Sequence, residues 1–272
     1  MDPVKIAEYL RISKEACAVG REVLMYYFGR LENIQSKDKA GLVSEADVEC
    51  EKVIADYLSR ATPEFGLLAE ENHYNTAEDG KGREGRWILD PLDGTTNYIH
   101  RFPIFCISLG LEYQGEMILG AIDVPMLGHL YTAARGLGAF RNDSPIRVSE
   151  QKSLSDALVA TGFFGEDVEA TKAQMGLVHH MLGQTRGLRR PGAAAYDLCM
   201  VAEGVFDVFW EKNLSPWDTA AGMVLVEEAG GVVSTYSGDN YHPEKKSIIA
   251  TNKALQPKVL LEFRQGLPSN YL

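Results

Sequence analysis

The apolar run Trp87-Ile88-Leu89 ends in Asp90, and Pro91-Leu92-Asp93-Gly94-Thr95-Thr96-Asn97 then delivers a second carboxylate and two hydroxyls. A strand ending at Asp90 would hold one carboxylate at a sheet edge, and the Pro91 turn would bring Asp93 back beside it. Two hard oxygen ligands on one short loop suit Mg²⁺ and phosphate chemistry. Gly94 permits close backbone approach, and the amides after it face an anion if a helix starts there. Asp-Pro-x-Asp-Gly is also good turn chemistry, so the loop alone does not decide. Two further segments place acid at the end of an element. Leu67-Leu68-Ala69-Glu70-Glu71 is a short apolar run closed by carboxylates, and Pro216-Trp217-Asp218-Thr219-Ala220-Ala221-Gly222 puts an acid at the start of an apolar helical stretch.

With these residues in view, the chain resembles the inositol monophosphatase family of Mg²⁺-dependent, lithium-sensitive phosphatases. One family signature runs from Trp87 to Asn97 and on through Tyr98-Ile99-His100-Arg101-Phe102-Pro103. The other is Trp217-Asp218-Thr219-Ala220-Ala221-Gly222 running into Glu227-Glu228-Ala229-Gly230-Gly231. The resemblance implies metal ligands at Glu70, Asp90, the Leu92 carbonyl, Asp93 and Asp218. One Mg²⁺ would be held by Glu70, Asp90 and Leu92 and a second by Asp90, Asp93 and Asp218, with two or three ions in all. It further implies that Thr95 and Asp47, with Glu70, orient the attacking water, and that amides near Gly94 and Thr95 hold the phosphate. Each position has a structural alternative: a turn for Asp93, a helix N-terminal acid for Asp218, a cap for Asp47, and solvated loop charges for Glu70 and Glu71.

The substrate side departs from the family pattern. Gly192, Ala193 and Ala194 fall in a segment, Arg190-Pro191-Gly192-Ala193-Ala194-Ala195, that normally carries Ser or Thr where this chain has Ala193. Glu211 matches a family carboxylate that accepts a hydrogen bond from an inositol hydroxyl, and it also reads as a charge at a strand end. Ser36 stands where the family places a basic residue, with Lys37 and Lys39 nearby. Gly41 and Ser44 replace the usual Asp and Thr. Asp93 and Asp218 count among the substrate contacts as well as the metal ligands.

The resemblance implies a phosphomonoesterase acting on myo-inositol 1-phosphate or a related sugar phosphate by direct attack of metal-activated water. Thr96-Asn97-Tyr98 favours the inositol type over relatives with Lys or Ser-Ser at this point, although a fructose 1,6-bisphosphatase activity stays open. A haloacid dehalogenase reading fits less well, because that class spaces its two acids two apart and Asp90 and Asp93 are three apart. Some bacterial members bind transcription or ribosome-maturation machinery, so an added non-enzymatic role also stays open. Homodimers are usual in the family.

Composition is consistent with a cytosolic enzyme. The net charge of −11 comes from 27 basic and 38 acidic residues with no Lys/Arg run, which disfavours direct nucleic-acid binding. An acidic chain with an anionic substrate needs bridging cations. No apolar stretch is long enough for a membrane span and the N-terminus lacks a signal peptide's apolar core. Cys17, Cys50, Cys106 and Cys199 stand singly among apolar neighbours and read as buried thiols. The adjacent pair His179-His180 does not share a helix face and makes a poor metal site.

The elements that must position these residues alternate along the chain. Asp2-Pro3 predicts a helix start, continued at helical spacing to about Phe28. Ser44 to Asp47 resembles a capping box opening a helix to about Ser59. Strands are expected over Gly66–Ala69, Trp87–Leu89, Ile104–Glu112, Leu119–Val124 and His129–Ala133, the last leading into a Gly-rich hairpin through Arg147. Beyond Val148, helices are expected over Ala194–Glu203, Thr219–Ala229 and Leu255–Arg264, with strands over Phe206–Trp210, Val232–Thr235 and Ile248–Thr251. The fold class is α/β. The resemblance, not the periodicity, implies a layered α-β-α-β-α sandwich, one domain over 1–272 with subdomains of about 1–147 and 148–272.

Overall fold

A computed structural model describes residues 2–37, 41–71, 83–163, 168–268 and 271. Helix α1 (Pro3–Tyr27) starts where the Asp2 carboxylate accepts the Val4 amide at 3.0 Å, with Pro at the first helical position. Strands β1 (Ile34–Lys37) and β2 (Gly41–Ser44) form an antiparallel pair that ends on Ser44, the cap of α2 (Glu45–Ala61). Neither strand was expected from the sequence, and Lys39 lies outside the described residues. Ser36 and Lys37 fall in β1.

A seven-stranded sheet follows chain order: β3 (Gly66–Ala69), β4 (Gly85–Asp93), β5 (Cys106–Tyr113), β6 (Glu116–Val124), β7 (His129–Ala134), β8 (Gly138–Arg141) and β9 (Ser144–Pro145). Only β3 and β4 pair in parallel. A short helix α3 (Thr95–Ile99) follows β4. The second sheet has the order β11-β10-β12-β14-β13, from β10 (Leu158–Thr161), β11 (Gly187–Arg189), β12 (Val208–Lys212), β13 (Val232–Ser234) and β14 (Ser247–Thr251). The remaining helices are α4 (Val168–Leu182), α5 (Ala194–Ala202), α6 (Pro216–Glu228) and α7 (Gln256–Gly266).

Three apolar clusters stack these elements into five layers. Leu24, Ile54, Leu58, Trp87, Leu89 and Leu119 join α1 and α2 to one face of the seven-stranded sheet. Ile88, Ile122, Leu198, Val224, Phe209 and Ala250 fill the middle, with α5 and α6 between the two sheets. Leu177, Met181, Val208, Trp210, Ile249 and Phe263 join the far face of the second sheet to α4 and α7. The order α-β-α-β-α follows from sheets that are apolar on both faces and must be covered twice. No helix among the described residues is long and apolar enough to cross a membrane.

Several strand boundaries differ from the sequence reading, and two of the differences have a visible cause. The strand carrying Asp90 does not end there but continues to Asp93, with Asp90 opposite Ser108, Asp93 opposite Cys106, and an irregularity between them. Pro91 has no amide to give the ladder, and the Leu92 amide turns back to Asp90 Oδ1 at 2.9 Å, so the strand bulges rather than stops. Phe206 lies before β12, because the Val205 and Phe206 amides both donate to Met200 O and hold it in the loop closing α5. β10, β11 and α4 were not expected.

Candidate active site

Elements of both large sheets and the helices α3 to α6 meet at one cleft of about 590 Å³. Its lining includes Glu70, Asp90, Leu92, Asp93, Gly94, Thr95, Gly192, Ala193, Ala194, Glu211 and Asp218. Asp47 is fully buried behind Thr95. The structure thus brings together the residues that the sequence placed on separate segments.

The bulge of β4 sets the first acids. Asp90, 1 % exposed, has its carboxyl pushed well above the usual range by burial, then by the nearby charges of Glu70, Asp93 and Asp218. It also shares a hydrogen bond with Glu70. Asp93 Oδ2 accepts the Ala195 amide at 2.7 Å and lies 3.7 Å from the Cys106 thiol. Burial raises Asp93 to about 7, with the Ala195 amide opposing it. That bond makes Asp93 a cap in trans for α5, whose own cap residue Ala193 has no side-chain acceptor. Gly94 follows with φ +90°, and a Cβ there would meet the Ile104 carbonyl at 3.0 Å and Ala193 Cβ at 3.3 Å. Only glycine suits that corner.

Asp47 and Asp218 both sit at the third position of a helix, in the same capping arrangement. Asp47 Oδ2 accepts the Ser44 amide at 2.8 Å and the Ser44 hydroxyl at 2.6 Å, while Oδ1 accepts from Thr95 Oγ1 at 3.0 Å. Thr95 Oγ1 lies equally 3.0 Å from the Leu92 carbonyl. Burial raises Asp47 to about 6 against the pull of its Ser44 partners. Asp218 Oδ2 accepts the Ser215 amide at 2.7 Å, and the Trp217 carbonyl just before it accepts Ser108 Oγ at 3.0 Å, tying α6 to the first sheet. Burial first and Asp93 second push Asp218 well above the usual range. The capping geometry leaves a site role open to Asp47, because one oxygen caps α2 while the other holds the Thr95 hydroxyl at the cleft.

Across the cleft, Glu211 projects from β12 and is 4 % exposed. Burial raises it to about 8, and Arg190 partly offsets this. Gly162 makes the space, since a Cβ there would stand 2.1 Å from Glu211 Oε2. Asn97 Nδ2 donates to Pro191 O at 2.9 Å and to Ile104 O at 2.7 Å, fixing the turn at Gly192.

The donor set suits Mg²⁺ chemically: Glu70, Asp90, Asp93, Asp218 and the Leu92 carbonyl are all hard oxygens. Asp90 is buried and Asp93 and Asp218 are half-buried beside it, and the repulsion among their charges is what a divalent cation would relieve. Among the described residues no three His, Cys, Asp or Glu side chains already enclose a point as a metal would demand. His180 instead pairs with Glu262 at 2.7 Å, bridging α4 and α7.

Sequence reasoning passed over three residues. Glu51, fully buried one helical turn after Asp47, accepts the Glu71 amide on Oε2 at 2.8 Å and so anchors the backbone beside Glu70. Its signal was an acid four residues after Asp47 on one helix face. Asp197 and Gln174 also line the cleft. Asp197 was legible as an acid within the apolar helix Ala194–Ala202, whereas Gln174, on α4, left no trace in the pattern.

The chain is 41% identical to inositol-1-monophosphatase of Rhizobium meliloti over 246 residues, 89% of this chain and 91% of the relative. It is 40% identical to fructose-1,6-bisphosphatase/inositol-1-monophosphatase of Aquifex aeolicus, covering 94% and 95%. It is 37% identical to Nus factor SuhB of Pseudomonas aeruginosa, covering 95% and 97%. Among solved structures, the extragenic suppressor protein suhB of Bartonella henselae superposes with a TM-score of 0.89 at 39% identity, covering 95% of this chain and 99% of that one. The inositol monophosphatase of Anabaena superposes with a TM-score of 0.85 at 34% identity, covering 98% and 100%. The architecture is thus the layered α/β fold of these proteins. Residues 5–267 match the inositol monophosphatase family, and the chain belongs to it.

Proposed function

We propose that this chain is a Mg²⁺-dependent phosphomonoesterase that hydrolyses myo-inositol 1-phosphate or a close sugar phosphate by direct attack of water. The observation that supports this reading most is the convergence of Glu70, Asp90, Asp93 and Asp218 on one cleft beside the Asp47–Thr95 hydrogen bond. When bound, Mg²⁺ held by those acids and the Leu92 carbonyl supplies charge stabilisation for the phosphoryl group and acidifies water.

The chain's own residues do the rest. The amides of Gly94 and Thr95 orient the phosphate. The Asp47 carboxylate draws the Thr95 hydroxyl proton toward itself, leaving the Thr95 oxygen able to accept a proton from the attacking water, and Glu70 flanks that water. As the water oxygen bonds to phosphorus, the bond to the polyol oxygen breaks, and that oxygen takes a proton from a solvent water in the cleft so that the polyol leaves neutral. Glu211 faces the polyol hydroxyls, and Ala193 gives them no hydroxyl partner.

The test is a comparison of hydrolysis rates for inositol 1-phosphate, fructose 1,6-bisphosphate, adenosine 3′,5′-bisphosphate and histidinol phosphate, with Mg²⁺ and with chelator. The expected result is Mg²⁺-dependent hydrolysis with inositol 1-phosphate preferred. A substrate chiral at phosphorus should give inversion, and retention would point to a phosphoenzyme instead. The relative named Nus factor SuhB favours a second reading, in which the same chain also contacts transcription machinery. Binding to transcription complexes by a variant lacking phosphatase activity would separate the two roles.

A further inference from the structure

The cleft contains buried oxygens that the proposed chemistry does not use. Asp197 is 2 % exposed, on the first turns of α5, and lines the cleft. Its Oδ1 is sealed from solvent yet accepts no hydrogen bond. Gln174, reaching the same cleft from α4, has its Oε1 in the same condition. An acceptor buried without a donor loses its water and gains nothing in return, so native folds keep such oxygens where something else fills them. Both residues, from two different helices, line the cleft that Glu211 also lines, with these oxygens just beneath its surface.

What would satisfy them is a ligand that brings hydroxyl protons. We propose that Asp197 and Gln174, with Glu211, form a hydroxyl-recognition subsite that grips the uncharged polyol part of a phosphate monoester and turns away a second phosphate group. The neighbouring charges support the choice. Asp197 feels the charge of Glu211, while Arg190 acts on both and places its guanidinium 5.7 Å from the Phe163 ring centre. A single cation already engaged leaves a further dianion without a counter-charge, while carboxyl and amide oxygens suit the hydroxyl groups of a polyol. The Gln174 amide can turn either its oxygen or its nitrogen to a hydroxyl, which suits a ring whose hydroxyls both donate and accept. The subsite also compensates for Ala193, which offers the sugar nothing.

This inference rests on the phosphatase reading for its choice of ligand, and the experiment keeps the two apart. Binding of inositol 1-phosphate and of inorganic phosphate would be measured by calorimetry for the parent, Asp197→Ala and Asp197→Asn, with Ca²⁺ in place of Mg²⁺ to prevent turnover. Values of kcat/KM would be collected with Mg²⁺ for inositol 1-phosphate, fructose 1,6-bisphosphate and p-nitrophenyl phosphate. The parent should bind inositol 1-phosphate more tightly than inorganic phosphate. Asp197→Ala should weaken inositol 1-phosphate by about tenfold more than inorganic phosphate, the loss expected from a hydrogen bond to a buried polar group. Asp197→Asn, which keeps an acceptor of the same shape, should recover most of that loss, and kcat/KM should follow the same order with fructose 1,6-bisphosphate the poorer substrate. Equal weakening of both ligands would mark Asp197 as a structural group and overturn the subsite, as would a parent that prefers the bisphosphate. Absence of turnover with all three substrates would defeat the phosphatase reading, while the binding ratios would still decide the subsite.

Discussion

Asp47 serves two purposes at once, and its two oxygens divide them. Oδ2 closes the start of α2 on Ser44 and Oδ1 holds the Thr95 hydroxyl. Removing the cap and removing the base should therefore give different losses. Ser44→Ala is expected mainly to lower stability, by about 0.5–2 kcal/mol, as lost caps do. Asp47→Asn is expected to lower kcat by on the order of 10², the scale of a positioned proton acceptor. Thermal melts beside kcat at saturating Mg²⁺ would compare them, and equal kcat losses in both variants would reduce Asp47 to a cap. Ala193 gives a second residue-scale prediction. Ala193→Ser restores a hydroxyl facing the cleft, so KM should fall more for inositol 1-phosphate than for glycerol 2-phosphate, and an equal fall would show that the hydroxyl meets no part of the ring. The sequence made Asp90, Asp93 and Asp218 readable because each lies inside a long motif at the edge of an apolar run, although the strand continues past Asp90 to Asp93. Asp197 and Glu51 went unread because their signals, an acid in an apolar helix and an acid one turn after another, do not tell a buried carboxylate from a solvated one.

Placement of these side chains depends on how closely the elements approach. Gly120 of β6 faces α6 so tightly that a Cβ there would lie 2.3 Å from the Ala221 carbonyl, and one on Gly110 of β5 would lie 2.9 Å from Ala220 Cβ. The small residues Ala220-Ala221-Gly222 answer them from the helix, and Asp218 rides on that helix one turn earlier. Gly120→Ala must push α6 off the sheet, because backbone cannot rotate away as a side chain does. A loss of about 1–3 kcal/mol is expected from overpacking, together with a higher Mg²⁺ concentration for half-maximal rate as Asp218 moves with its helix. A variant whose melting temperature falls while its Mg²⁺ requirement stays at the parent value would show that α6 repacks without carrying Asp218 along. At this scale the sequence was legible wherever local signals agree. The Asp2 and Ser44 caps, the apolar run Gly66–Ala69 and the paired glycines after α6 all mark boundaries within a few residues of those observed. Helix α4 was missed because only Leu177 and Met181 are buried along it, leaving a thin apolar stripe. The β4 bulge was missed because a proline that ends most strands is tolerated where the following amide finds a side-chain acceptor.

Over the whole molecule, the gathering of buried acids in one cleft should govern how stability depends on pH. The order of the five layers was not legible in local periodicity, because it rests on pairings between distant strands, and neither was the charge it concentrates. Burial raises Asp47 to about 6, Asp93 to about 7 and Glu211 to about 8, and pushes Asp90, Asp197 and Asp218 well above the usual range. In the unfolded chain these groups titrate near 4. Below about pH 4 they are protonated in both states and favour neither. Between about pH 4 and 8 the folded state keeps protons that the unfolded state has released, so the stability of the metal-free protein falls as pH rises through this window. A divalent cation in the cleft replaces those protons, and its binding adds stability by mass action, about 2.7 kcal/mol when present at one hundred times its dissociation constant. It competes with protons for the same oxygens, so its benefit should be small at pH 5 and large at pH 8. The expected result is a melting temperature that declines from pH 5 to pH 8 in chelator, and a gap between chelator and saturating Mg²⁺ that widens over the same range. Melts recorded at matched ionic strength would separate this from general screening. A flat profile in chelator, or a gap that does not change with pH, would mean that these acids shed their repulsion by some route other than protons or metal.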